Sequence, residues 1–290
     1  MPCSRATAIL AGVMMVSPPV ERDVGSGGRT NAHVTQPAPN VPGLGTPSVH
    51  RIAEDVYAVT HLFHSAGGGF GVSAGVIFTR GSVIFIDSGM SIASGEYLWN
   101  VARGRIRGDA KIYLILTHHH SDHVFGMRVF KDRGATVIAH RGVADELRGD
   151  RGRYKAFIAR TSGWTDRQAH EILGDVLLSV PDRLVERDTT LHIDGRAVRI
   201  LVTPGHVPDA ICVYDAASRT LFAGDTVYEG TRLNTKFGGP SEWRTWVSHL
   251  ERLKSLDIAA LCPGHGNLCK RDEIDRNISY LRSVLRRGPA

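Results

Sequence analysis

The stretch Ile112-Tyr113-Leu114-Ile115-Leu116-Thr117-His118-His119-His120-Ser121-Asp122-His123 decides how the rest of the chain is read. Its apolar, β-branched first half has the length of a buried strand. Its second half delivers four imidazoles and a carboxylate within six residues. Imidazole nitrogens and carboxylate oxygens are ligands for zinc and its first-row neighbours. Side chains two apart share one face of an extended segment, so His118 and His120 converge on a single ion. His119 falls on the other face and is not expected among the ligands. Asp122 and His123 follow where the chain must bend, and suit a second ion. A surface polyhistidine run that binds metal adventitiously would have no reason to follow a core strand.

The 290 residues hold one large domain or two small ones, and 42% hydrophobic with 22% charged residues is ordinary for a soluble globular chain. A net charge of +6 is mildly basic. The arginine clusters at Arg103–Arg107, Arg148–Arg153 and Arg282–Arg287 lack interleaved aromatics, so they read as solvated faces and no nucleic-acid partner is expected. Cys3, Cys212, Cys262 and Cys269 form no CxxC pair or disulfide framework. Residues 1–48 are Pro- and Gly-rich without periodicity and read as a disordered or processed leader, leaving 49–290 as the folded domain. Within the leader, Ala6–Val16 has the length of a signal-peptide core, but its flanks are weak. The expected location is cytoplasmic, with export as the alternative. No run reaches the length of a membrane span.

Downstream, Val56–Thr60, Val72–Phe78 and Val83–Asp87 read as strands, with a flexible turn at Gly67–Gly69. Asp87 either orients a ligand or serves its turn. Ser94–Arg107 and Val124–Arg133 read as helices flanking the motif strand, and Thr136–Ala139 as the next strand. Residues 141–180 then form a charged insert, with Asp166 capping a helix that runs to Leu173. The insert is either a substrate cap or a plain helical excursion. Strands follow at Thr190–Ile193, Val198–Val202, Ile211–Tyr214, Thr220–Ala223 and Ile258–Cys262, with helices at Trp243–Leu256 and Asp272–Leu285. Two strand-rich halves, each followed by helices, predict an α+β sheet sandwich with helices outside.

Three strand ends in the second half repeat one device. Thr203-Pro204-Gly205-His206, Ala223-Gly224-Asp225-Thr226 and Cys262-Pro263-Gly264-His265-Gly266 each set a metal-type residue just after a Gly. With His-x-His-x-Asp-His ahead of them, residues 50–286 resemble the metallo-β-lactamase-fold hydrolases, in the branch that includes glyoxalase II, lactonases and thioesterases. The resemblance implies a four-layer αββα sandwich with its site along one edge of the sheets. It also implies one ion on His118, His120 and His206, a second on Asp122, His123 and His265, and Asp225 bridging them.

The function so implied is a dinuclear zinc hydrolase whose metal-bridging hydroxide attacks the carbonyl of a small-molecule ester, thioester or lactone. Iron or manganese would suit the same ligands. Asp122 would steer the hydroxide and move a proton. Tyr228, in Gly224-Asp225-Thr226-Val227-Tyr228-Glu229-Gly230, stands where related lactonases place a tyrosine that assists the substrate carbonyl; packing beneath the loop is the other reading. A bridging Asp225 argues against β-lactamase activity, and His120 stands where flavo-diiron relatives need Glu. Asp209 departs from the usual Pro-Gly-His-Thr-Pro-Gly, and either supports a ligand histidine or caps a turn. The rivals are a mononuclear iron sulfur dioxygenase-like enzyme using His118, His206 and Asp225, and a non-catalytic metal-binding protein. The oligomeric state is not legible.

Overall fold

The structure, a computed structural model, describes residues 41, 43–65 and 71–287. Seven strands form the first sheet, in the order of the chain. They are β1 (Ser48–Ala53), β2 (Val56–Leu62), β3 (Val72–Phe78), β4 (Ser82–Ile86), β5 (Lys111–Leu116), β6 (Thr136–His140) and β7 (Arg183–Val185). The strands β1 to β4 run antiparallel to their neighbours, whereas β4 to β7 run parallel and need crossovers. Those crossovers supply α1 (Ile92–Ala102), α2 (Ser121–Val124), α3 (Met127–Lys131), α4 (Arg141–Leu147), α5 (Arg153–Thr161) and α6 (Asp166–Leu173). The second sheet holds β8 (Thr189–Ile193), β9 (Arg196–Val202), β10 (Ile211–Asp215), β11 (Thr220–Phe222) and β12 (Ala260–Cys262), ordered β12-β11-β10-β9-β8. Its helices are α7 (Pro240–Leu253) and α8 (Asp272–Arg287).

Alternation along the strands sorts the side chains into three apolar layers. Ile84, Ile86, Ile115 and Ile138 face inward and meet Ile200, Ile211, Val213 and Phe222 of the second sheet. Their neighbours Phe85, Leu114, Leu116 and Val137 face outward and pack with Tyr97, Leu98, Phe125 and Phe130 beneath the first helices. On the far side, Leu201, Cys212 and Leu221 pack with Trp246, Leu250, Ile274 and Ile278 of α7 and α8. Each fully buried side chain of this size contributes about 1.5–3 kcal/mol relative to exposure. The result is the expected αββα sandwich.

The elements that carry metal-type residues end at one edge. β4 and β5 are parallel, as are β11 and β12, and β9 is antiparallel to β10, which is antiparallel to β11. Their C-terminal ends therefore point the same way within each sheet. At that edge the sheets are stitched together, Ile211 N–H donating to Thr117 O at 2.8 Å and Ser73 N–H to Gly264 O at 2.8 Å. At the opposite end, Arg196 joins β9 to Asp215 of β10 and to Asp55 of the β1–β2 turn.

Several expected boundaries move, each for a physical reason. The helix read at Val124–Arg133 is split into α2 and α3. A Cβ at Gly126 would lie 2.0 Å from the Ser88 carbonyl oxygen, so backbone from the preceding loop packs against the chain where the helix would continue. α1 begins earlier, capped by Ser91, and gives way to a 3-10 turn at Arg103–Arg105. Thr165, not Asp166, caps α6, sharing a capping box with Gln168. The insert at 141–180 is three helices, and Ile158, Ile172 and Leu173 bury in the outer apolar layer. Most of the expected leader and the Gly67–Gly69 turn lie outside the described residues. The leader's last residues are already anchored, since Gly45 N–H donates to Phe63 O and Ser65 N–H to Gly43 O. Here backbone pairing outweighs the Pro-rich composition.

Candidate metal centre

Buried β5 delivers Thr117, whose position fixes the start of the motif. Asp87, just past β4, accepts from Thr117 N–H at 2.7 Å and from the Thr117 hydroxyl at 2.8 Å. Its Oδ2 also accepts from His123 Nδ1 at 2.8 Å. Asp87 adopts φ 61°, an uncommon left-handed conformation for a residue with a side chain. The carboxylate therefore does more than serve its turn: it holds the His123 proton on Nδ1 and leaves Nε2 with a lone pair.

The same logic orients the other imidazoles. His118 Nδ1 lies 3.1 Å from Thr117 Oγ1, which has given its own hydrogen to Asp87. His206 Nδ1 faces the Asn234 carbonyl at 3.3 Å, and His265 Nδ1 faces the Gly71 carbonyl at 3.1 Å. Each ring thus turns Nε2 inward. His120 is reversed, its Nδ1 lying 3.0 Å from His206 Nε2. Two nitrogen lone pairs at that distance need a cation between them, a proton or a metal ion.

The inward atoms form two groups, His118, His120, His206 and Asp225 in one and Asp122, His123 and His265 in the other, with the atoms of each group within 4.8 Å of one another. Asp225 faces both. Its Oδ2 is 3.2 Å from His206 Nε2 and 3.8 Å from His118 Nε2. Its Oδ1 is 3.1 Å from His123 Nε2 and 3.3 Å from His265 Nε2. Asp122 Oδ2 reaches His265 Nε2 at 3.3 Å and keeps 19% side-chain exposure. Gly264 is forced by this crowding, because a Cβ there would lie 2.1 Å from Asp225 Oδ1.

Three buried atoms, His118 Nε2, His123 Nε2 and Asp225 Oδ1, make no hydrogen bond. Leaving such atoms unsatisfied is costly, and ligation removes the cost. Burial, then the neighbouring imidazoles, holds His118 and His120 well below the usual histidine pKa, in the neutral form that ligates. Burial would raise Asp225, but His265, His123 and His206 outweigh it and hold the carboxyl well below its usual range. Asp122 is likewise brought down to about 2, mainly by His123 and His265 against burial. Burial opposes protonation of His123 and His265, but the carboxylates prevail, raising His265 to about 9. The cluster draws in positive charge, and its donor set fits a first-row divalent cation.

Tyr228 is buried, and its hydroxyl donates to Asp225 Oδ2 at 2.5 Å. Asn277 of α8 fixes the Tyr228 backbone on both sides, at 2.9 and 2.8 Å. Asp209 supports no residue of the two groups; its Oδ1 meets His119 Nδ1 at 2.8 Å. The chain bends at residues 117–119, and His119 faces Asp209 rather than either group. His61 pairs with Asn267, two residues past His265. The motifs gave no sign of Asn234, Asn277 or Phe237, whose ring lies tilted against His120 and edge-on to His206 at centroid distances of 4.4 and 5.3 Å. A polar Asn277 on the apolar stripe of α8 was the one signal available.

Sandwich and cluster together define a metal-dependent hydrolase of the αββα type. The metallo-beta-lactamase superfamily profile matches residues 67–265. The chain therefore belongs to the metallo-beta-lactamase superfamily, and it is an enzyme of the hydrolase kind. The acyl-coenzyme A thioesterase MBLAC2 of Bos taurus is 27% identical over 237 residues, covering 74% of this chain and 80% of that protein. A hydroxyacylglutathione hydrolase of Rhizobium meliloti (strain 1021) is 29% identical over 161 residues, 55% of this chain and 50% of the relative. A metallo-beta-lactamase from Pontibacter korlensis shares the fold, with TM-score 0.63 and 20% identity over 82% of this chain and 99% of its own. No helix of the described residues is long and apolar enough to cross a membrane.

Proposed function

We propose that the protein is a dinuclear zinc hydrolase that cleaves an acyl thioester, with esters and lactones as chemically related substrates. The single observation that carries this reading is the division of Asp225, one oxygen toward His118 and His206 and the other toward His123 and His265. His118, His120 and His206 would hold one divalent cation and Asp122, His123 and His265 a second, with Asp225 as the carboxylate common to both. The pair, when bound, would supply a hydroxide nucleophile at neutral pH and polarise the scissile carbonyl.

The remaining work falls to the chain. Asp87, Thr117, Asn234 and Gly71 fix the imidazole tautomers, so no reorientation is needed when a ligand arrives. Tyr228 pins Asp225 Oδ2 with its hydroxyl and acts on the carboxylate rather than on substrate. Asp122, which keeps 19% side-chain exposure, would take the proton carried by the attacking hydroxide and pass it to the leaving group. The thioester preference draws on the acyl-coenzyme A thioesterase relatives.

Elemental analysis of purified protein, paired with a panel of thioesters, esters and lactones, tests the proposal. The expected result is about two zinc ions per chain with thioester turnover. About one iron per chain, with oxygen uptake on a persulfide, would replace it with a dioxygenase reading.

A further inference from the structure

We infer that Phe237 forms the wall of the substrate pocket that receives the apolar acyl part of the substrate. This rests on the carbonyl-hydrolase reading above. Three aromatic rings touch His206: Phe237 at 5.3 Å, Trp246 at 5.5 Å and Tyr228 at 6.1 Å between centroids. Trp246 and Tyr228 are sealed in the interior, at 0% and 1% exposure. Phe237 is only half-buried. It also lies 4.4 Å from the His120 ring. Among these three rings it alone offers apolar surface to a molecule arriving at the His118, His120 and His206 group.

The ring is presented by a fixed piece of chain. Leu233 is buried in the layer beneath α7. Asn234 O meets His206 Nδ1 at 3.3 Å, and Trp243 Nε1–H donates to Thr235 O at 3.3 Å. On the other flank, Gly239 N–H donates to Glu242 Oε2 at 2.9 Å. A ring held on both sides loses little freedom when it binds a ligand. The opposite flank, next to His265, is polar: Asn267 is hydrogen-bonded to His61 and to Glu229. A substrate carbonyl between the flanks meets apolar surface on one side and polar groups on the other. The acyl chain lies on Phe237, and the polar leaving group lies toward Asn267.

The test is steady-state hydrolysis of acetyl-, octanoyl- and palmitoyl-coenzyme A by the unsubstituted protein, Phe237→Ala and Phe237→Leu, with metal content measured for each. Phe237→Ala is expected to lower kcat/KM for octanoyl-coenzyme A about ten-fold through KM, leaving acetyl-coenzyme A within about two-fold. Metal content should stay unchanged, and Phe237→Leu should restore most of the discrimination. An equal loss on all three thioesters together with lost metal would overturn the inference, reducing the ring to packing on the histidines. An unchanged ratio between acyl lengths would overturn it too. Failure of the unsubstituted protein on every thioester would instead remove the thioester reading, and with it this inference.

Discussion

Replacing Asp87 by Asn isolates the support of the cluster from the cluster itself. The carboxylate accepts from three donors, Thr117 N–H at 2.7 Å, Thr117 Oγ1–H at 2.8 Å and His123 Nδ1–H at 2.8 Å. An asparagine has one oxygen and one NH2 group, and it tolerates the left-handed backbone that residue 87 adopts. If its oxygen stays on Thr117 N–H, the NH2 faces the other two donors. If it flips, the buried Thr117 N–H is orphaned. Either way at least one buried donor loses its acceptor, at about 1–3 kcal/mol. His123 has one escape, moving its proton to Nε2, and that occupies the lone pair a metal would use. Metal affinity should fall by about 10–100-fold. At 1.36 kcal/mol per decade this is about 1.4–2.7 kcal/mol. Zinc competition against a chromophoric chelator at neutral pH measures it, with near-ultraviolet circular dichroism to verify the fold. Affinity equal to that of the unsubstituted protein would refute the reasoning.

The other substitutions probe separate links. Asp225→Ala should abolish turnover and lower metal content; full activity would sink its bridging role. Tyr228→Phe removes the hydroxyl on Asp225 Oδ2 and should lower turnover with metal content largely kept, whereas an unchanged rate would return Tyr228 to packing. Arg196→Leu strips the buried Asp215 of its bidentate partner and should cost about 3–5 kcal/mol of stability. Burial pushes the Asp215 carboxyl up, but Arg196 and Ser218 outweigh it and hold the pKa below its ordinary value. Its stabilisation is therefore complete above the unfolded value, about 3.9, and is lost as pH falls through the lower folded value. Denaturant midpoints across that range should show the gap between the two proteins closing in acid; a gap independent of pH would contradict the assignment.

Much of the fold was legible because β-strand alternation and strand-end punctuation are local signals. Ile115 between Leu114 and Leu116 reads as a strand buried on both faces, and both of its apolar layers exist. The seven metal-type residues were legible because they follow buried strands closely, His118, His120, His206, Asp225 and His265 in the turns after them and Asp122 and His123 in the short helix α2 beyond β5. What escaped was long-range. Asn234 and Gly71 offer the site only carbonyls, which every residue has. Asp209 faces His119 rather than one of the grouped histidines because of how two loops from different sheets meet, a matter of tertiary geometry. The break at Gly126 had the same origin, in the approach of a backbone from nearly forty residues upstream.

The metal-type residues are shared between the sheets. His118, His120, Asp122 and His123 follow β5 of the first sheet, whereas His206, Asp225 and His265 follow strands of the second. Neither group is complete on one sheet. A bound ion would thus be a clasp across the sandwich, closing a chain loop as long as the 143 residues that separate Asp122 from His265 (265 minus 122). An ion that needs both halves docked would add its affinity to the stability of the docked state by mass action, so metal supply would bear on how firmly this edge stays shut as well as on turnover.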